Sequence, residues 1–449
     1  VGLPEGQVGT SEVNHFTIGA GQVLFQDLVK INRAIADESF FANDALTQAC
    51  QWTKTHNSRL HILGLLSDGG VHSHQNHIFS LLELARRQHV DKVLLHMFTD
   101  GRDTRPTHSP SAFRALDAAI AENHLGKLAS VVGRYFAMDR DHNWERTDKA
   151  FHLLTQGLGT PSTNIYDSIA TAHAEGTTDE FLPPFFVGDP ERDTIQEGDA
   201  VIFANFRNDR TRQLTERFLE QGPKDLFFAT MTQYHPAYNV SVAFRPLTVE
   251  TNLGETIAKQ GWKQLRVTET EKFPHMTFFL NCKREDPNEG EDRIMLDSYS
   301  DIPTHDHKPY MRAPEIADQI VEAINAEKYA CIFSNICNAD MVGHTGNIPA
   351  AIAACEAVDE ALGRISTSAM EHGYAVIVIA DHGNADQMID EETGEMHTSH
   401  TLNPAPFILV SEPQHTIARH EGTLIDIAPT ICALLGLETP DVMKGKSFI

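Results

Sequence analysis

Six cysteines in 449 residues, with no Cys-x-x-Cys pair and no regular spacing, leave no framework for disulfides or for a thiolate metal site. Cys50, Cys282, Cys331, Cys337, Cys355 and Cys432 therefore read as reduced packing residues of a cytoplasmic protein. Positive charge is also scarce: 36 Lys and Arg face 62 Asp and Glu, for a formal net charge of -26. Nucleic acids and anionic membranes both need a basic footprint, so neither is an expected partner. No apolar run approaches the roughly 18 residues of a membrane span, and no basic-then-apolar leader is present. Internal repeats and low-complexity linkers are lacking too.

What is present is ordinary globular material, 41% hydrophobic and 22% charged, in a chain longer than one core usually serves. Two domains are expected. Near the C-terminal end, Ala375 to Gly383 is an apolar run that stops at Asp381 and His382. Its β-branched and small residues predict a strand of a parallel sheet, buried on both faces, and ligands sit beyond the carboxyl ends of such strands. Tyr329 to Ile336 repeats the pattern ahead of Asp340 and His344, and His400 stands just before Asn403-Pro404. Carboxylates mixed with imidazoles, without thiolates, suit two divalent ions such as Mn²⁺ or Zn²⁺. With 24 histidines in the chain most must be bland, and an Asp-x-x-x-His spacing alone is weak. The weight comes from two clusters that each follow an apolar strand. His305-Asp306-His307 fails that test, since polar, turn-like sequence precedes it, and it reads as a solvated loop.

The middle of the chain repeats the grammar with other side chains. His61 to Leu66 runs into Ser67 to His72, and Lys92 to Phe98 into Asp100-Gly101-Arg102-Asp103. Ala129 to Val132 leads to Arg134 and Arg140, and Ala200 to Phe206 leads to Arg207-Asn208-Asp209-Arg210. Ile78, Leu81, Leu82 and Ala85 form one stripe of an intervening helix. This predicts a βαβ domain with one ligand face. Arg forks onto phosphate and carboxylate, so Arg102, Arg134, Arg140, Arg207 and Arg210 read as a pocket for a small, multiply anionic metabolite. Surface ion pairing explains any one of them better; it does not explain five at successive strand ends.

Other templates fail. Gly9-Thr10-Ser11-Glu12-Val13 lacks the closing Gly of a nucleophile elbow. Gly445-Lys446-Ser447 has Pro440 where a phosphate loop opens with Gly, and Gly19-Ala20-Gly21 is too short for a dinucleotide fingerprint.

Six segments, in order from end to end, carry a family likeness: Gly2 to Gly9, Ser11-Glu12-Val13, Ser67 to His74, Asp100 to Asp103, Asp340-Met341-Val342-Gly343-His344 and Asp381-His382-Gly383-Asn384. The chain resembles the cofactor-independent (2,3-bisphosphoglycerate-independent) phosphoglycerate mutases of the alkaline phosphatase superfamily. The resemblance implies an α/β fold: an alkaline-phosphatase-like doubly wound sheet domain, residues 1–25 and 247–449, interrupted by an inserted α/β phosphotransferase domain, residues 26–246. It further implies interconversion of 3-phosphoglycerate and 2-phosphoglycerate through a phosphoserine, by a monomer. On this likeness Ser11 is the nucleophile. One Mn²⁺ is held by Asp340, His344 and His400, and another by Asp381, His382 and Ser11. A metal beside a serine hydroxyl is a physical means of activating it near neutral pH. Lys272 would neutralise charge on the transferring phosphoryl. Arg207 and Arg210 would clamp the phosphate, while His72, Arg102, Arg134 and Arg140 would hold the glycerate. Asp103 would carry the proton between the two hydroxyls. Water must be excluded meanwhile, or the phosphoserine would hydrolyse.

Two departures from the family pattern stand out. The resemblance implies an earlier strand ending in Asp-Gly-x-Gly, whose Asp completes the second metal site, yet only ten residues precede Ser11 and the first is Val1. The expectation is a trimmed chain whose phosphatase sheet has a gap, with the second ion short of a carboxylate; a degenerate relative without turnover is the other reading. Asn14 stands where the family commonly has Gly, which Asn's tolerance of left-handed backbone makes mild. A metal-dependent phosphatase or phosphopentomutase on the same scaffold remains a rival. It need not keep five Arg and Asp103 in an insert.

Overall fold

The computed structural model describes residue 2, 8–246, 248–391 and 393–449. Contacts divide the chain into two compact units, Val1–Phe25 with Leu247–Ile449, and Gln26–Pro246. Both are α/β. Among the described residues no helix is long and apolar enough to cross a membrane.

In the Gln26–Pro246 unit the strands are β1 (Leu60–Leu65), β2 (Val93–Thr99), β3 (Lys127–Gly133), β4 (Thr160–Pro161), β5 (Phe185–Phe186), β6 (Ala200–Phe203), β7 (Phe227–Thr232) and β8 (Ser241–Phe244). They form one sheet in the order β4-β5-β3-β2-β1-β6-β7-β8, parallel except where β3 meets β5. Successive side chains point to opposite faces, and here both faces are covered. Ile62, Met97, Val131 and Ile202 enter one apolar cluster, while Leu63, Phe98, Val132 and Val201 enter the other. That double burial is why these strands read as unbroken apolar runs. The helix expected around Ile78 spans Gln75–Arg87, and Asn43 caps the helix Asp44–His56 by accepting from the amides of Ala45 and Leu46. Chain order reverses between β1 and β6, so a crevice opens beyond the carboxyl ends of β1, β2, β3 and β6.

In the other unit, β9 (Gln264–Glu269), β10 (Glu291–Leu296) and β11 (Cys331–Asn335) form a parallel sheet in the order β10-β9-β11. β12 (Val376–Ile379) pairs antiparallel with β13 (Phe407–Val410) as a separate ribbon. The expectation for β12 needs correction here: it is half-buried and lies in an antiparallel ribbon, not buried on both faces of a parallel sheet. The physical reason is a cavity of about 820 Å³ lined by Cys331 to Cys337 on one side and Tyr374 to His382 on the other. Among the described residues β11 and β12 are not paired with each other, and each has a strand neighbour on one edge only. The polar reading of residues 298–304 agrees with a single 3-10 turn at His305–His307, where His307 is exposed.

Candidate metal centre and anion pocket

Ser11 is the first residue of the helix Ser11–Ala20. Its Oγ sits 2.7 Å from His382 Nε2 and receives a hydrogen bond from Lys272 Nζ at 2.8 Å. Lys272 follows β9 and also pairs with Asp340 Oδ2 at 2.8 Å, although its side chain is buried. Asp340 lies in the short helix that follows β11, and its Oδ1 is 3.2 Å from His344 Nε2 and 3.4 Å from His400 Nε2. Burial pushes the Asp340 carboxyl up, but the charge and hydrogen bond of Lys272 outweigh it and hold the group below the usual range.

The tautomers decide what this cluster can accept. His344 Nδ1 lies 2.7 Å from the carbonyl of Thr398, and His400 Nδ1 lies 2.8 Å from that of Gly9. Carbonyls only accept, so both Nδ1 atoms carry hydrogen, and in the neutral tautomer this selects each Nε2 presents a lone pair. Those lone pairs face each other at 3.2 Å, with Asp340 Oδ1 beside them. Asp340, His344 and His400 thus present three donors to one point, the arrangement a cation requires. Next to it, Asp381 Oδ2 is buried without a hydrogen-bond partner, 3.3 Å from His15 Nδ1 and 3.4 Å from His382 Nε2. Asp381 is acidic well beyond an ordinary carboxyl: burial opposes this, and the nearness of the His15 and His382 imidazoles prevails. The donor set fits divalent cations.

Asn14 was expected to ease left-handed backbone, but it lies inside the right-handed helix Ser11–Ala20 and donates through Nδ2 to the carbonyl of Asp381 at 2.8 Å. Its tolerance has a different cause: the side chain has an acceptor waiting.

The Gln26–Pro246 unit places the remaining residues around its crevice. Asp103 Oδ2 is 2.5 Å from Arg134 Nη1, and the same nitrogen is 2.6 Å from Asp100 Oδ1. Asp209 gathers a second group, with Arg140 Nη1 at 2.8 Å, Arg207 Nε at 3.1 Å and His72 Nδ1 at 3.6 Å. Phe206 and Arg207 donate their backbone N–H groups to the carbonyl of His72, which ties the loops after β1 and β6 together. The His72 imidazole is pushed down to about 4, first by burial and then by Arg134, so it is neutral at pH 7. Burial, followed by the nearness of Arg140, Arg102 and Arg134, lowers the Arg210 guanidinium, a measure of how much positive charge converges there. Arg102 and Arg207 are half-exposed, at 54% and 50% of their side-chain surface, whereas Arg134 is 3% exposed. Arg102 leans on Glu180 at 3.5 Å, and Arg210 donates to the carbonyl of Met138. Exposed guanidinium groups held beside a crevice are what an anionic ligand needs.

Sequence reading passed over Asp100, Asp209 and His15. The signal for the two acids was an Asp inside each Arg-bearing loop, since converging cations need a counter-charge to stay converged. His15 is one helical turn after Ser11 and on its face, a periodicity visible beforehand.

An α/β scaffold with a serine at a helix N-terminus, flanked by Lys and by a convergent Asp/His set, defines an alkaline-phosphatase-like protein with a metal-ligand centre. Residues 31–236 match the family described as BPG-independent PGAM N-terminus. The chain is 46% identical, over all its length and 90% of the other's, to the 2,3-bisphosphoglycerate-independent phosphoglycerate mutase of Chloroflexus aggregans. It is 45% identical, over all its length and 89% of the other's, to the enzyme of that name from Ectopseudomonas mendocina. A solved Leishmania mexicana phosphoglycerate mutase, studied at low cobalt concentration, superposes with a TM-score of 0.53 at 29% identity, covering 99% of this chain and 88% of that one. The chain belongs to the 2,3-bisphosphoglycerate-independent phosphoglycerate mutases.

Proposed function

We propose that this protein interconverts 3-phosphoglycerate and 2-phosphoglycerate, without added 2,3-bisphosphoglycerate, by passing the phosphoryl group through Ser11. The observation that carries the reading is the setting of Ser11 Oγ between Lys272 Nζ at 2.8 Å and His382 Nε2 at 2.7 Å. Lys272 can only donate, so the serine proton is directed at His382 and an oxygen lone pair is held toward the ammonium. A nucleophile so placed keeps a cation ready for the three oxygens of a transferring phosphoryl.

Asp340, His344 and His400 would hold one divalent ion, and Asp381, His382 and Ser11 another. Mn²⁺ suits this mixed oxygen and imidazole set, and the Leishmania mexicana relative was studied with cobalt. Such ions supply charge that lowers the serine pKa and neutralises phosphoryl oxygens. The protein's own residues do the rest. Arg207 and Arg210 grip the phosphate, while His72, Arg102, Arg134 and Arg140 orient the glycerate. Asp103, beside Arg134, gives a proton to the glycerate oxygen that loses the phosphoryl group and takes one back from the hydroxyl that receives it. A phosphatase of the same fold needs water as acceptor and gains nothing from an acid/base residue among arginines, so the Asp103 and Arg134 pair favours isomerisation.

The test is a coupled assay of 2-phosphoglycerate formation by the full-length protein with Mn²⁺. Turnover without bisphosphate, lost in Ser11→Ala, is expected. A strict requirement for the bisphosphate would refute the reading.

A further inference from the structure

Asp100, at the end of β2, is 3% exposed and accepts four hydrogen bonds. Ser67 Oγ donates to Oδ2 at 2.5 Å, while Oδ1 receives the backbone N–H of Arg102 at 3.2 Å, that of Asp103 at 3.0 Å, and Arg134 Nη1 at 2.6 Å. One buried carboxylate thereby joins the loops after β1, β2 and β3. Gly101 makes the turn possible, with φ +70 and no room for a Cβ, which would stand 2.7 Å from the amide nitrogen of Glu180.

Resting on the reading of Asp103 as proton carrier, we propose that Asp100 is a positioning residue for the isomerisation. It aims Asp103 through the turn, and by sharing the Arg134 guanidinium it keeps Asp103 a stronger base than an undivided arginine would leave it. The geometry is specific. Nη1 of Arg134 has two hydrogens, one directed at Asp100 Oδ1 and the other at Asp103 Oδ2, 2.5 Å away. Among the described residues Arg134 alone bonds the Asp103 carboxylate. Two carboxylates thus divide one cation, and the buried member favours its ionised form: burial pushes the Asp100 carboxyl up, but the Ser67 hydroxyl, the Asp103 amide and Arg134 bring it below the usual range. Asp103 is the more exposed of the two, with 18% of its side chain open.

Other titratable and charged groups face the pair from each surrounding element. His72 lies after β1, Arg207, Asp209 and Arg210 after β6, Arg140 beyond β3, and Arg102 on the same loop, neutralised in part by Glu180. Without the Asp100 charge, the charge of Arg134 would act on Asp103 alone, which would become a weaker base and a poorer proton carrier.

Asp100→Asn is nearly isosteric: its Oδ1 still accepts the two amides and Arg134, and Ser67 can reverse its bond. The experiment compares kcat and kcat/KM against pH for the full-length, metal-loaded protein and its variants, the titration of substrate phosphate being common to all. In Asp100→Asn the limb of the profile set by Asp103 moves down by about one pH unit and kcat falls roughly tenfold or more. In Asp100→Glu the charge stays but the carboxylate shifts by a methylene, so the limb stays in place while kcat falls. An unmoved limb in a folded Asp100→Asn overturns the proposal. So does wild-type kcat in Asp100→Glu, which keeps the test decisive if the first variant does not fold. Asp103→Asn is the control: if it turns over normally, the proton-carrier reading itself has failed and takes this proposal with it.

Discussion

His344 and His400 turn their Nε2 atoms toward each other across 3.2 Å, and each has its other nitrogen committed to a backbone carbonyl. In these tautomers the lone pairs repel unless a cation lies among them, so the backbone carbonyls of Gly9 and Thr398 prepare the pair for an ion.

Removing a donor from that set should therefore remove an ion. Asp340→Ala or His344→Ala is expected to cost one of two bound equivalents of Mn²⁺, measured by elemental analysis after gel filtration. Loss of a direct ligand should exceed the roughly 10 to 100-fold cost of losing an outer-shell partner. Undiminished metal content in both variants contradicts the assignment.

Lys272 touches Ser11 Oγ and Asp340 Oδ2 at 2.8 Å each. Lys272→Met should lower kcat by roughly 10²- to 10³-fold, the scale of losing one preorganised charge donor. Lys272→Arg should recover little, since a planar fork does not replace a point charge in a buried slot. Steady-state kinetics decides, and near-wild-type kcat in Lys272→Met would remove this residue from the mechanism.

Asp209 holds Arg140 at 2.8 Å and Arg207 at 3.1 Å. Asp209→Ala should raise KM for phosphoglycerate about tenfold with a smaller effect on kcat, because charge-assisted bonds that fix two arginines contribute about 1.5–3 kcal/mol. A fall in kcat with KM unchanged would assign Asp209 elsewhere.

Acid should unfold the Gln26–Pro246 unit through its buried imidazoles. Burial pushes His77 down to about 3 and lowers His61 and His96 as well. A folded-state value below the unfolded value of roughly 6.5 means that the unfolded chain binds the extra proton, so stability is full above that pH and falls as the pH drops toward 3. Each such group adds a slope of about 1.4 kcal/mol per pH unit. Urea titrations between pH 7 and 4 should show this decline, and His77→Leu should flatten it by up to one proton; an unchanged slope in the variant contradicts the argument.

The parts of this molecule written in the sequence are those set by local burial. Strands β1, β2, β3 and β6 sit in a double-sided core, so their apolar runs announced them, and so did the polar residues at their carboxyl ends. β12 has the same apolar character, yet its partner is an antiparallel strand and its other edge faces a cavity, and nothing in a run such as Val376–Ile379 encodes which neighbours are present. Individual donors such as Asp340 and His382 were legible from their place after strands. Their orienting partners were not: the carbonyls of Gly9 and Thr398 carry no side-chain signal, and Asp100 and Asp209 resemble ordinary solvated acids until the fold brings Arg134, Arg140 and Arg207 onto them.

Asp103→Asn separates the two halves of the chemistry. With the proton carrier gone but Ser11 intact, the phosphoenzyme should still form on mixing with 3-phosphoglycerate, more slowly because the departing oxygen lacks its proton donor, while 2-phosphoglycerate should not appear. Rapid quench with radiolabelled substrate measures both, and isomerisation at the parent rate would exclude Asp103.

The central claim is that the phosphoryl group resides on Ser11. Acid-quenched full-length protein, loaded with Mn²⁺ and mixed with 3-phosphoglycerate, should give a peptide containing phospho-Ser11 by mass spectrometry, absent in Ser11→Ala. Phosphate found on a histidine, or turnover at steady state with Ser11 replaced by Ala, would contradict it.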